Sequence, residues 1–391
     1  MFREPIYLDY NATSPLDPRV LEAMLPYFSD HFGNPSIGGY VYSWEAEAAV
    51  KKARQTVAQT IKCSPEEIIF TSGATESNNL AIKGVVEANL TKGNHLITAA
   101  TEHSSVLETF YYLKKLGFEL TILPVDPQGL IDPEQLKKSL KPETILVSIM
   151  VANNEIGVLQ PIGLIGEICH HHQILFHTDA AQAIGKIDLD VERLNIDLMS
   201  MTAHKICGPK GLGALYVRRK NPRVNLLPQL HGGGQERGLR SGTLATPQIV
   251  GLSKALELAN LEIDLETERL KELREQLWQY LSREIEGIHL NGHAQLRLAN
   301  NLNVSIEGLE PNRLLRELQS KIAISSGSAC SWSTSKPSHV LRALGRSDQL
   351  AQASLRFGLG RFTTEPEIER VKILIAETVY SLRRWRDKSP D

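Results

Sequence analysis

Short apolar runs alternate with stretches of helical periodicity through the first two thirds of the chain. Ile68-Ile69-Phe70, Leu96-Ile97-Thr98, Phe118 to Leu123, Thr144 to Val151, Ile174-Leu175-Phe176, Ile196 to Met201 and Gly213 to Val217 each read as a buried strand. Between them, Trp44 to Ile61, Asn79 to Ala88 and Val106 to about Leu116 read as helices, and Pro161 opens another that ends at Cys169-His170-His171-His172. The alternation predicts an α/β fold, a mostly parallel sheet flanked by helices. From Pro247 to about Glu286 the pattern is helical, with one apolar stripe at Leu252, Ala255, Leu256 and Ala259 and a second at Leu270, Leu273, Leu277 and Tyr280. The two stripes lose phase near Asn260 to Asp264, which puts a domain boundary there. A large domain is expected over 15–260. A smaller α+β domain is expected from 1–14, an extended arm, together with 261–391. Its predicted strands are Asn303 to Ile306, Ile322 to Ile324 and Ser354 to Phe357. Its predicted helices are Asn312 to Gln319, Ser338 to Leu344 and Glu365 to about Trp385.

The strand ends collect the polar residues. Asp179 follows Phe176 in His177-Thr178-Asp179-Ala180-Ala181-Gln182, and Lys205 follows Met201 in Thr202-Ala203-His204-Lys205. Carboxyl ends of strands are where open α/β sheets bind ligands. A lysine able to form an imine, beside a carboxylate able to hold a pyridinium nitrogen protonated, is the minimum for pyridoxal 5'-phosphate chemistry. His103 and Asn154 also fall just past strands and are expected near the same rim. The turn Thr71-Ser72-Gly73-Ala74-Thr75 between a strand and a helix offers backbone and hydroxyl donors to a phosphate, or simply caps a helix. It is not a Walker loop, because no Gly-Lys-Ser/Thr follows. The glycine-rich His231 to Arg237 loop is either another phosphate contact or a tight surface turn, and Arg218-Arg219-Lys220 reads as a solvated turn. The three consecutive histidines sit where a helix end favours imidazolium, and no metal site is expected of them.

Composition removes several function classes. The 391 residues exceed one ordinary core, and a formal net charge of -2 implies no general affinity for nucleic acid. No apolar run approaches the roughly 18 residues of a membrane span. The start, Met1-Phe2-Arg3-Glu4-Pro5, lacks the apolar stretch of a signal peptide, so Cys63, Cys169, Cys207 and Cys330 are expected to be reduced thiols in the cytoplasm.

One segment is biased. Six of the eleven residues 325–335 are serine, and Cys330 lies among them. Such a stretch has little to bury and is expected to be mobile. Cys330 is either a nucleophile that moves between two positions or an incidental thiol in a linker.

With these residues in view, the chain resembles the group I cysteine desulfurases, pyridoxal-phosphate enzymes of fold type I related to the class V aminotransferases. The likeness runs nearly end to end. It covers Tyr7 to Thr13, Thr71 to Ser77, Thr101-Glu102-His103, Asn153 to Gly157, His204-Lys205, Arg240 to Thr243, Ser325 to Cys330 and Arg356-Phe357. The resemblance implies that Lys205 holds the cofactor as an imine and shuttles protons. It implies that Asp179 pairs with the pyridinium nitrogen, Gln182 with the phenolic oxygen, and that His103 stacks on the ring as an acid/base. Ala74, Thr75, Thr202 and His204 hold the phosphate, and Thr243 reaches it from a second subunit. Asn154 and Arg356 bind the substrate carboxylate. The Cys330 thiolate attacks the sulfur of L-cysteine, giving L-alanine and a persulfide on Cys330. A homodimer follows, as does a sulfur-acceptor protein such as an iron–sulfur scaffold.

Three departures from the family pattern stand out. Tyr40 occupies a position where histidine is common, Cys207 replaces a tyrosine after His204-Lys205-Ile206, and the chain ends at Asp391 without the longer tail that some members use to dock a scaffold. Another docking surface, or several acceptors, is therefore expected. Two alternatives remain at this stage: a C–S lyase or aminotransferase on the same scaffold, and a non-catalytic sulfur-relay protein.

Overall fold

Apolar runs of four or five residues, buried on both faces, become the strands of one central sheet, as parallel sheets covered by helices require. The structure, a computed structural model, describes residues 5–310, 313–326 and 337–388. In chain order the elements are β1 (Ile6–Tyr7), α1 (Pro18–Met24), α2 (Pro26–Ser29), α3 (Val41–Ile61), β2 (Ile68–Thr71), α4 (Ala74–Ala88), β3 (His95–Ala99), α5 (Ser104–Lys115), β4 (Glu119–Leu123), α6 (Pro133–Ser139), β5 (Thr144–Ser148), α7 (Ile162–His171), β6 (Leu175–Asp179), β7 (Leu198–Thr202) and β8 (Gly213–Val217). There follow α8 (Thr246–Glu284), β9 (Ile288–Leu290), β10 (Asn301–Ile306), α9 (Arg313–Leu318), β11 (Ile322–Ala323), α10 (His339–Ala343), α11 (Asp348–Gln352), β12 (Ser354–Gly358) and α12 (Glu365–Lys388).

The central sheet has seven strands in the order β2-β8-β7-β6-β5-β3-β4. The strands from β7 to β4 are mutually parallel, and β8 is antiparallel to both its neighbours, β7 and β2. Two antiparallel steps restore direction, so β2 also points its carboxyl end at the rim where β3, β5, β6 and β7 end. This places Asp179 and Thr202, the last residues of β6 and β7, beside the turns that follow β2, β3 and β5.

A first core of Val57, Phe70, Val147, Phe176, Met199 and their neighbours packs against one face of the sheet, and a further cluster containing Leu80, Leu96, Phe110 and Leu146 packs against the other. A separate core surrounds the antiparallel sheet β12-β10-β9 and the short parallel pair β1-β11. The 39-residue α8 runs unbroken through Asn260 to Asp264 and contributes Leu252 and Ala255 to the first core and Leu270, Leu273 and Leu277 to the second. The loss of phase in the sequence marks the segment between the two cores, where Leu261 and Leu265 are exposed.

Two local readings change. α4 begins at Ala74 rather than Asn79, because Gly73 adopts φ +152° and leads straight from the turn into the helix. Arg218 is buried, not solvated: its guanidinium donates to the carbonyls of Val191 and Ile196 and to Glu192. No helix among the described residues is long and apolar enough to cross a membrane.

The close approach of β8 to the rim has a measurable consequence. A Cβ on Gly213 would lie 2.4 Å from the Met201 carbonyl oxygen and 2.6 Å from the Gly73 Cα, all backbone that cannot step aside. Gly213→Ala is expected to cost about 1–3 kcal/mol of stability through this overpacking. Chemical denaturation should show a lower midpoint; an unchanged midpoint would mean that the Gly73 turn yields freely.

Candidate active site

The rim encloses a cavity of about 630 Å³ whose lining includes Ala74, Thr75, His103, Asn154, Asp179, Gln182, Thr202, His204, Lys205 and Arg356. That volume lies within the range of small-molecule sites. Ten of the twelve residues singled out in the sequence therefore meet around one space. Thr243 does not line it: it is exposed on the loop before α8. Cys330 lies outside the described residues.

Asp179 is held on both oxygens. Its Oδ1 accepts the Ala181 N–H at 2.8 Å and its Oδ2 accepts the Asn78 amide at 2.7 Å. The same Asn78 nitrogen donates to Ser105 Oγ at 2.9 Å, and Ser105 in turn meets His103 Nδ1 at 2.8 Å. His103 is the N-cap of α5, so its Nδ1 accepts the Ser105 N–H at 3.1 Å. A nitrogen that accepts carries no proton, so the neutral ring has its hydrogen on Nε2. Burial holds the His103 imidazole below its usual range; the nearby charge of Asp179 opposes this, and Lys205 and His339 reinforce it.

Lys205 reaches the N-terminal arm. Its Nζ donates to the carbonyls of Asn11 and Ala12. Burial, with the charges of Arg356 and Lys186, brings the amine down to about 7 against the pull of Asp9 and Asp179. Gln182 pairs with Asn11 twice, donating to its carbonyl at 2.9 Å and accepting from its amide at 3.2 Å. His204 meets Thr13 Oγ1 at 3.1 Å, and burial lowers its imidazole to about 4. Arg356, 1% exposed on β12, pairs with Asp9 at 2.7 Å and donates to the Asn154 carbonyl at 3.1 Å. Its Nε and the Asn154 Oδ1 are buried without a partner among the described residues. Buried polar groups are normally satisfied, so these two atoms mark a place for a ligand's polar group.

A profile of the family described as "Aminotransferase class-V" matches residues 6–371. The chain belongs to the class-V aminotransferase family. Among its relatives, the cysteine desulfurase IscS of Methylobacillus flagellatus is 52% identical over 382 residues, 97% of this chain and 94% of that protein. The solved structure of a NifS-like protein superposes with a TM-score of 0.90 at 38% identity, covering 97% of this chain and all of that one. A structure titled SspA in complex with cysteine superposes with a TM-score of 0.81 at 40% identity, covering 92% of this chain.

The cofactor of this class-V family is pyridoxal 5'-phosphate, and the residues here fit it. It needs an amine, a carboxylate at the ring nitrogen and a cradle for phosphate. Lys205 supplies an amine whose affinity for a proton is lowered by burial, and Asp179 a carboxylate fixed at a strand end. The start of α4 has no side-chain cap, so its first N–H groups are free for an anion, with Thr202 and His204 on the same wall.

Several contributors were not singled out in the sequence: Asn78, Ser105, Asp9 and Glu155. Asp9 had a local signal, a lone charge in the apolar arm Ile6-Tyr7-Leu8. Asn78 and Ser105 look like ordinary first-turn residues of helices. Among the described residues, no group of three His, Cys, Asp or Glu side chains could hold a metal ion. His170 and His171 occupy the last turn of α7.

Glu155 sits under the site, 4% exposed, and accepts a hydrogen bond from the Ser338 hydroxyl. Burial raises its carboxyl to about 7, against the lowering effects of Ser338 and Arg356. The folded pKa lies above the unfolded one, so the folded state binds this proton more tightly. That contribution is complete below about pH 4.5 and is lost as pH rises through about 7. Relative to Glu155→Gln, the wild type should lose stability on the order of 3 kcal/mol between pH 5 and 8. Denaturation midpoints of both proteins across that range test this; parallel curves would contradict it.

Proposed function

We propose that this chain is a cysteine desulfurase that converts L-cysteine to L-alanine and leaves the sulfur as a persulfide on Cys330. The observation that carries the reading is the convergence of Lys205, Asp179, His103 and Arg356 on one cavity, in a chain about half identical to a named cysteine desulfurase over nearly all its length.

When bound, pyridoxal phosphate supplies an electron sink for the pair left on a substrate carbon. Lys205 is the residue that anchors it, and it then moves protons at the substrate carbons with an amine close to neutral pH. Asp179, fixed by Asn78 and Ala181, would keep the ring nitrogen protonated. Gln182 would donate to the phenolic oxygen, and His103 would serve the ring as an acid/base through Nε2. Ala74, Thr75, Thr202 and His204 would hold the phosphate. Arg356 presents Nε, and Asn154 its side chain, to the substrate carboxylate. The Cys330 thiolate forms a bond to the substrate sulfur as the Cβ–Sγ bond breaks. The electron pair stays with the carbon fragment, which takes up protons to become alanine.

The working form is a homodimer. Exposed apolar side chains gather between Leu25 and Trp44, among them Phe28, Phe32, Ile37 and Tyr42, and a monomer would leave them in water. Thr243, exposed and away from its own cavity, is read as completing the partner's phosphate site. The persulfide sulfur passes to an acceptor protein such as an iron–sulfur scaffold. The free thiols Cys63, Cys169 and Cys207 suit the reducing cytoplasm.

Anaerobic incubation with L-cysteine and dithiothreitol should give alanine and sulfide in equal amounts. Cys330→Ser should lose both while the cofactor absorbance stays. Pyruvate and ammonia, unchanged in the variant, would instead assign a C–S lyase. Sedimentation should show a dimer, and Thr243→Ala should weaken cofactor retention. A monomer that retains cofactor as tightly would remove the shared site.

A further inference from the structure

Lys205 lines two cavities. The second, of about 50 Å³, lies where Ile206 of the first core meets Leu270 and Leu359 of the second. Aliphatic side chains such as Ile206, Ile263 and Leu270 share its walls with polar ones, Lys186 and Asn300 among them. The Lys186 Nζ and the Asn300 Oδ1 are both buried with no hydrogen-bond partner among the described residues. The backbone of Lys186 is fixed: its N–H donates to the Ala183 carbonyl, in the turn that follows Asp179. Glu266 lines the same cavity and acts on Lys186 as a nearby carboxylate without a hydrogen bond to it; it belongs to a cluster in which Arg361 and Arg19 share Glu266, Glu262 and Asp17. Tyr10, Thr267 and the Cys207 thiol also line the cavity, and burial pushes that thiol up, so it offers no anion. Lys186 is thus a buried cation with no hydrogen-bonded counter-ion, lining the same small cavity as the reactive lysine.

We propose that Lys186 is a positioning residue for the reaction: its unpaired, buried ammonium shares a cavity with Lys205 and, by charge repulsion, keeps the Lys205 nitrogen from taking up a proton. An ammonium at this place disfavours a second positive charge beside it, and low-dielectric walls strengthen the effect. Arg356 acts in the same direction from the substrate side. Asp9 and Asp179 act against it, and the rings of His103 and His204 also face Lys205. Burial lowers the Lys186 amine only to about 8, so it stays mostly charged at neutral pH. The consequence is a Lys205 nitrogen ready to accept a proton from substrate. The inference rests on the reading of Lys205 as the lysine that anchors the cofactor.

The test is an absorbance titration of the holoenzyme, which reports the proton on the Lys205 nitrogen joined to the cofactor. Lys186→Met and Lys186→Gln should raise the midpoint by roughly one pH unit. Lys186→Arg, which keeps the charge, should stay near the wild type. An unmoved midpoint in the Met and Gln variants, with the chromophore intact, overturns the proposal. So does an equal shift in Lys186→Arg, because packing rather than charge would then be the cause. Thermal melts of the three variants establish that the titrations read folded protein. A Lys205→Ala protein that keeps the wild-type titration would instead overturn the assignment of Lys205 itself.

Discussion

The Arg356–Asp9 ion pair gives a guanidinium at 1% exposure its counter-charge and offsets the cost of burying it. Asp9 belongs to the N-terminal arm, so the pair pins the arm across the mouth of the site. Tyr10 N–H bonds to the Gly358 carbonyl, and β1 pairs with β11, so the arm is part of the small antiparallel body. Its next residues reach the other body. Asn11 exchanges two hydrogen bonds with Gln182, the Asn11 and Ala12 carbonyls accept from the Lys205 nitrogen, and Ser14 N–H bonds to the His204 carbonyl. Removing one partner of a buried pair strands the other's charge, so the ion pair adds to these contacts in holding the arm, Lys205 and Arg356 in one arrangement.

The electrostatics of the rim follow from burial. Lys205, His103 and His204 all lose affinity for protons because charge is costly away from water, and neighbouring cations deepen the effect. Asp179 has both oxygens satisfied by hydrogen bonds. The result is a site with a fixed carboxylate and, around it, nitrogen bases whose affinity for protons is lowered. That is the division of labour a cationic ring and a proton-shuttling amine require.

Much of this was legible along the chain because strand ends are local features. A short apolar run followed by Asp179, Thr202, His103 or Asn154 places those side chains at one rim as soon as the strands are parallel. What failed was non-local. Asp9 meets a partner 347 residues away, and no spacing rule reports that. Arg218 looked like a surface turn because its acceptors are main-chain carbonyls at Val191 and Ile196, which any sequence could supply. The start of α4 was read five residues late because Ala74 to Asn78 is rich in Ser, Thr and Asn, which favour caps and turns. At this site the same residues open a helix whose start has no side-chain cap.

The position of Thr243 is intelligible in the same terms. Thr243 is exposed on the loop preceding α8 and does not line its own chain's cavity. The apolar residues between Leu25 and Trp44 are equally without cover there, and Phe32 and Tyr42 stack on each other with ring centroids 5.1 Å apart. Burying such aromatic surface is the main driving force of association. If one interface covers the aromatic patch and also brings Thr243 to a neighbouring phosphate site, assembly and cofactor retention become a single equilibrium. Arg356, Asn154 and Asp9, by contrast, meet within one chain. Dimerisation would then govern retention of the cofactor and leave recognition of the substrate carboxylate to each subunit.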